Sequence, residues 1–174
     1  LWTEAGSRET AQQRVEIALA PDSVTRVRLF VAAPGEVVEV ESHAPLNTEG
    51  TPPVIYTANL DAYQNLPLLF DAMKLVRYKH PETRLIIATA AKAKGLPAEI
   101  APIMGFDALH RFLAQDAVFA APRVSWSGYP IKMLNAMAAG KAVVACESAA
   151  YPITHEETGL IVPDNDTHAY AAAL

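Results

Sequence analysis

The sequence predicts an α/β fold built on an open parallel sheet with helices on both faces. Three observations predict it. From residue 54 onward, short apolar runs alternate with stretches whose apolar residues recur at helical spacing. The apolar runs are continuous rather than alternating, which is the pattern of strands covered on both sides. Glycine and proline fall at helix boundaries: Pro67 and Pro130 at helix starts, where a missing N–H costs nothing, and Gly140 just past a helix end, where a left-handed residue closes the last turn. With 174 residues and 51% hydrophobic content, the chain has the apolar surface for one sizeable core and the length of one compact domain.

The elements follow in order. Residues 9–20 set Ala11, Val15, Ile17, Ala18 and Leu19 among polar residues and predict a short amphipathic helix stopped by Pro21, so that residues 1–25 read as an N-terminal helix and linker. Strands are predicted at 27–31 and, after Pro34 and Gly35, at 37–40; the polar, proline-containing stretch 41–53 predicts a loop. Beyond it the reading is strand 54–57, helix 66–78, strand 85–88, strand 100–104, helix 108–115, strand 117–121, helix 130–139, strand 142–146, strand 160–162 and a last helix from about Asp166. In the helix at 66–78, Leu69, Ala72, Met73 and Val76 form one stripe and Asp71, Lys74 and Arg77 the opposite one, so the apolar stripe should lie on the sheet. The chain starts at Leu1 and stops at Leu174 inside a helix-like run, and the expectation is a fragment of a longer protein.

Composition narrows the function. There are 14 basic against 19 acidic residues, a formal charge of -5, and no cluster of Lys and Arg that would track a phosphate backbone, so nucleic acid is not an expected partner. Cys146 is a lone cysteine in an apolar run, which excludes a disulfide framework and suits a reducing, cytosolic setting. No apolar stretch approaches the about 18 residues that span a bilayer, and the first residues lack the basic segment followed by an apolar core that would read as a signal peptide. His43, His80, His110, His155 and His168 show no metal-ligand spacing, and no metal is expected.

In an open parallel sheet, ligands bind beyond the carboxyl ends of the strands. Two loops there carry polar residues. One holds Asn59, Asp61, Tyr63 and Gln64 after the strand at 54–57; the other runs from Arg123 through Ser125, Trp126, Ser127, Gly128 and Tyr129 to Pro130, directly before a helix. A glycine ahead of a helix start lets a ligand approach the backbone, and the free N–H groups of the first turn suit a phosphate. Lys132 lies in that turn, where a cation opposes the helix dipole; it is either a solvated surface lysine or one answering an anion. Asn135, between Leu134 and Met137, needs a partner for its amide, either a sugar hydroxyl or a backbone carbonyl.

The run at residues 128–140, Gly-Tyr-Pro-Ile-Lys-Met-Leu-Asn-Ala-Met-Ala-Ala-Gly, followed by Lys-Ala-Val-Val-Ala, resembles the donor-site helix of the family 4, GT-B glycosyltransferases, the glycosyl transferases group 1. Residues 54–87 look like that family's strand, loop, helix and strand, with His80-Pro81-Glu82-Thr83-Arg84-Leu85 leading into the second strand. Glu157-Thr158-Gly159-Leu160-Ile161-Val162-Pro163 is similar to its closing segment. The resemblance covers about residues 54–174, and residues 27–40 are compatible with the domain's usual first strand.

The resemblance implies that residues 1–174 are a single Rossmann-like, nucleotide-sugar-binding domain, the C-terminal half of a GT-B fold. It implies a donor site in which ribose hydroxyls meet an acidic residue on the donor helix and the phosphates meet its start. The chain departs from the common pattern: the positions of its Glu-x7-Glu pair hold Ser127 and Asn135, and those of its first-loop Gly-Arg and Lys hold Ala58, Asn59 and Gln64. The implied donor-binding residues are therefore Asn59, Gln64, Ser127, Gly128, Tyr129, Pro130, Ile131, Lys132 and Asn135, with Lys132 stabilising phosphate charge. The implied reaction moves a sugar from a nucleotide-diphosphate sugar to an acceptor in glycan or polysaccharide biosynthesis, with no cofactor and no metal. A missing N-terminal domain of the same chain would hold the acceptor, and the fragment alone would be inactive. The resemblance implies a bacterial, cytoplasmic setting, with any peripheral contact with the inner membrane falling to that missing domain. The alternative is a non-catalytic glycosyltransferase-like binding or structural module, for which the substituted positions speak; an epimerase on the same architecture is a further one.

Overall fold

The computed structural model describes residues 15–18, 26–29, 38–41, 50–57, 59–91, 93–125 and 130–174. Residues 54–162 carry six parallel strands: β4 (Val54–Thr57), β5 (Leu85–Thr89), β6 (Glu99–Pro102), β7 (Val118–Ala121), β8 (Ala142–Cys146) and β9 (Leu160–Val162). They lie in the order β6-β5-β4-β7-β8-β9. From β4 the chain winds outward to β5 and β6, then returns to β7 beside β4 and winds the other way, so the direction of winding reverses between β4 and β7.

Among the described residues, four helices cover the sheet: α1 (Leu66–Lys79), α2 (Phe106–Leu113), α3 (Ile131–Ala138) and α4 (Thr167–Ala173). Successive strand residues point to opposite faces, and they divide the interior into two cores. Val54, Tyr56, Leu85, Ile87, Val144 and Val162 pack with the buried stripe of α1 and with Tyr170 of α4. Ile55, Ile86, Phe119, Val143 and Ala145 pack on the other face with Leu113 of α2 and with Met133, Leu134 and Met137 of α3. Both faces are thus covered, and the fold is the Rossmann-like α/β sheet that the sequence predicts.

Local chemistry sets the element ends. Pro67 stands in the first turn of α1 and Pro130 is the residue capping α3. Beyond α3, Gly140 adopts φ 67°, its N–H donates to the Met137 carbonyl, and the Lys141 N–H donates to the Ala136 carbonyl. These two bonds are the paired closure of a left-handed glycine cap. Asp166 caps α4 by accepting the Ala169 N–H at 2.9 Å. At Gly159 a Cβ would come within 2.6 Å of the Val143 carbonyl oxygen, so only glycine lets the chain enter β9 this close to β8.

The structure departs from the sequence reading in two regions. The helix expected over residues 9–20 is, where described, the strand β1 (Val15–Ala18), antiparallel to β2 (Arg26–Leu29). Val15 and Ile17 are β-branched and sit two apart, a strand period that outweighs the weak helical stripe. The other residues of the predicted N-terminal helix and linker lie outside the described ones. The described residues of the region 27–40 do not join the main sheet: β2 pairs with β3 (Val38–Glu41) in a separate sheet ordered β1-β2-β3. Its segments Arg-Val-Arg-Leu and Val-Glu-Val-Glu alternate polar and apolar residues, as antiparallel sheets with one open face do. Smaller shifts occur at the sheet edge. The predicted strand 100–104 is β6, which ends at Pro102, a residue tolerated on an edge strand because no neighbour needs its missing N–H. Gly105, at φ 85°, then starts α2 two residues earlier than predicted.

Candidate functional site

The reversal between β4 and β7 opens a crevice at the carboxyl ends of both strands, the general ligand position of such sheets. A cleft of about 220 Å³ occupies it. Tyr56 and Thr57 of β4 form one wall, the chain from Phe119 to Arg123 another, and residues 130–133 at the start of α3 the third.

The loop after β4 is held by its own side chains. A 3-10 turn, Ala62–Gln64, ends at Asn65, whose φ of 55° places it in the left-handed region before α1 begins. Asn65 Nδ2 donates to the Pro122 carbonyl at 3.0 Å and to Asn165 Oδ1 at 3.2 Å, joining the loops that follow β4, β7 and β9. Gln64, 4% exposed, donates through Nε2 to Asn59 Oδ1 at 2.7 Å. Asn59 Nδ2 in turn donates to the Asp61 carboxylate, and to the Tyr63 hydroxyl at 3.4 Å. Across the cleft, Lys132 Nζ donates to the same Asn59 Oδ1 at 3.4 Å. This oxygen therefore receives donors from the loop after β4 and from the start of α3.

The electrostatics favour an anion. Burial lowers the pKa of Lys132 below the ordinary lysine range, and the nearby Arg123 guanidinium lowers it further, against the opposing pull of Asp61. Two cations thus act on each other inside a partly desolvated cleft, an arrangement that an anionic ligand relieves. The N–H groups of the first turn of α3 add partial positive charge at the same wall. Cys146, by contrast, is pushed up to about 12 by burial and then by Asp164, and its thiol is no nucleophile.

Of the residues singled out from sequence, the structure brings Asn59, Gln64 and Lys132 together, and sets Pro130 and Ile131 on the cleft wall beside Lys132. Asn135 lies three residues beyond Lys132 on α3, half-buried and outside the cleft lining. Ser127, Gly128 and Tyr129 fall outside the described residues, as does Ala58. Among the cleft residues that sequence reasoning did not single out are Arg123 and Tyr56. Arg123 stands in the loop already marked after β7, so its charge was a usable signal. Tyr56 is the one hydroxyl-bearing aromatic in the strand run Val-Ile-Tyr-Thr, a pattern that points only to burial. The spacing Asp164-Asn165-Asp166 was also passed over. Both carboxylates have structural work here, Asp166 capping α4 and Asp164 accepting the Ser148 N–H at 3.1 Å.

A sequence model described as glycosyl transferases group 1 matches residues 51–174. No curated protein sequence matches the chain. Among solved structures, the chain is similar to the pneumococcal O-GlcNAc transferase GtfA, crystallised with UDP and GlcNAc, at 16% identity and TM-score 0.58, over 70% of this chain and 28% of that one. It is similar to TarM at 17% identity and TM-score 0.62, over 76% of this chain and 29% of that one. It is also similar to the C-terminal domain of the group 1 glycosyl transferase LpcC from Francisella tularensis at 18% identity and TM-score 0.55, over 71% and 73% of the two chains. At these identities the likeness is one of fold. The chain spans less than a third of the length of GtfA and of TarM.

Proposed function

Since the chain belongs to the glycosyl transferases group 1, we propose that the cleft between β4 and β7 holds the diphosphate of a nucleotide-sugar donor during glycosyl transfer. The observation that carries this reading is the half-buried Lys132 ammonium, set at the start of α3 within the field of Arg123 and at the reversal of the sheet. Breaking the bond between the sugar and the diphosphate builds negative charge on the leaving phosphate oxygens. Preorganised cations and N–H dipoles lower the energy of that charge in a partly desolvated site. Lys132, Arg123 and the first turn of α3 supply them without calling on a metal ion. Asn59 and Gln64 hold the opposite wall, with Asn59 Oδ1 steering the Lys132 ammonium into the cleft.

The proposal extends to the residues around this wall. Pro130 and Ile131 shape the cleft, Ser127, Gly128 and Tyr129 precede them in the chain and are proposed as further donor-binding residues, and Asn135 is placed one turn farther along α3, where its amide can donate to and accept from ribose hydroxyls. The acceptor and any catalytic base come from a further domain of the same protein facing this rim. UDP and GlcNAc are named with GtfA, and a uridine diphosphate sugar is the first donor to test here.

In the full-length protein, Lys132→Ala should weaken binding of UDP by about 10-fold or more, the loss of one charge-assisted contact of roughly 1.5–3 kcal/mol. Titration calorimetry measures it, and unchanged affinity and turnover remove Lys132 from the site. The second reading, a module that has lost catalysis, draws on one observation: α3 carries no carboxylate. Absence of binding to any of a panel of uridine, guanosine and adenosine diphosphate sugars would decide for it.

A further inference from the structure

Two buried side-chain oxygens among the described residues have no hydrogen-bonding partner, the hydroxyls of Tyr56 and Thr83. Thr83 lies at the amino end of the sheet, one residue before Arg84 and away from the cleft. Tyr56 is different. It is the penultimate residue of β4, 3% exposed, and it lines the cleft with Thr57, Tyr63, Arg123 and Lys132. Its ring is anchored among Val54, Leu66, Leu69 and Ile87. Of the charged and phenolic groups that act on it, Tyr63 and Arg123 line the cleft, Asp61 belongs to the loop after β4, and Tyr170 is buried in the core.

Burying a phenolic O–H without a partner is costly, and sequences usually avoid it with phenylalanine, which fills the same space with no polar atom. Retention of a buried, unpartnered hydroxyl on a residue that lines a ligand cleft is explained when a bound ligand supplies the missing acceptor. The phenol stays neutral because burial opposes its ionisation, and a neutral phenol donates. Arg123 and Lys132 already draw negative charge to this point.

We infer that the Tyr56 hydroxyl donates a hydrogen bond to a diphosphate oxygen of a nucleotide bound in the cleft, making Tyr56 a donor-binding residue at the base of the site. The inference rests on the reading of the cleft given above and adds to it a contact from within the strand, beneath the loops and the helix start. It also predicts an unusual pair of effects. Removing the hydroxyl takes away an unmet polar group in the free protein and a hydrogen bond in the complex, so stability and affinity move in opposite directions.

The test is Tyr56→Phe in the full-length protein, with UDP, GDP and ADP each titrated into wild type and variant, and thermal unfolding followed without nucleotide. The expected result is about 10-fold weaker binding of whichever nucleotide the wild type binds, with a Tm raised by about 2–4 °C. Unchanged affinity in the variant overturns the inference and leaves the reading of the cleft intact. Weaker binding with a lowered Tm also overturns it, because the hydroxyl then supports the fold rather than the ligand. If the wild type binds none of the three nucleotides while a sugar-free phosphate probe, inorganic pyrophosphate, also fails to bind, the reading of the cleft falls and the inference with it. Pyrophosphate binding that weakens in the variant supports the contact to the diphosphate itself.

Discussion

At the scale of single residues, Lys132 carries the sharpest consequence, because its surroundings disfavour its charge while its proposed task requires it. Burial and Arg123 lower its pKa, so its proton leaves at a lower pH than that of an ordinary lysine. The sign follows directly. UDP affinity is full while the ammonium persists and falls as the pH rises through the lowered value, whereas Lys132→Arg, whose guanidinium stays charged, holds affinity level over the same range. Calorimetric titration between about pH 7 and 10 checks this, and parallel losses in both proteins would place the titrating group elsewhere. The sequence exposed part of this chemistry. Lys132 was visible because a cation in a first helical turn works against the dipole, and Asn59 and Gln64 because they follow a strand end. Arg123 stood in a marked loop without being singled out, and Tyr56 became visible only in three dimensions. Which hydroxyl lacks a partner, and which guanidinium acts on which ammonium, depends on how separate strands, loops and helices come together, about which spacing within one element says nothing.

Elements were legible where one period dominated. The apolar run of β8, the short β9 and the two-sided pattern of α1 were read to within a residue or so of their observed limits. Residues 15–18 were misread because their apolar residues satisfy a strand period while the flanking alanines imitate a helix. The boundary of α3 matters most for function, since its first turn forms a wall of the cleft. Gly140 fixes its other end at φ 67°, with both closing hydrogen bonds made. Gly140→Ala should therefore cost about 1 kcal/mol. Urea unfolding should show this as a lower midpoint with an unchanged slope. No shift would mean that the αL turn adapts without strain.

For the molecule as a whole, the continuous apolar strands foretold a sheet covered on both sides, and the two separate cores bear that out. The order of the strands was not written in any one segment, because it depends on where each crossover returns. That order places the cleft where the winding reverses. A nucleotide that binds only the folded protein must stabilise it, and UDP at about 100 times its Kd should add about 2.7 kcal/mol. Scanning calorimetry would register this as a raised Tm, and a Tm indifferent to UDP would deny the cleft its ligand. The bridge made by Asn65 gives such binding its character. One amide clasps the turns after β4, β7 and β9, so the jaws of the crevice are set before anything arrives. Less ordering of the chain is left for the incoming molecule to cause, and more of each contact survives as affinity.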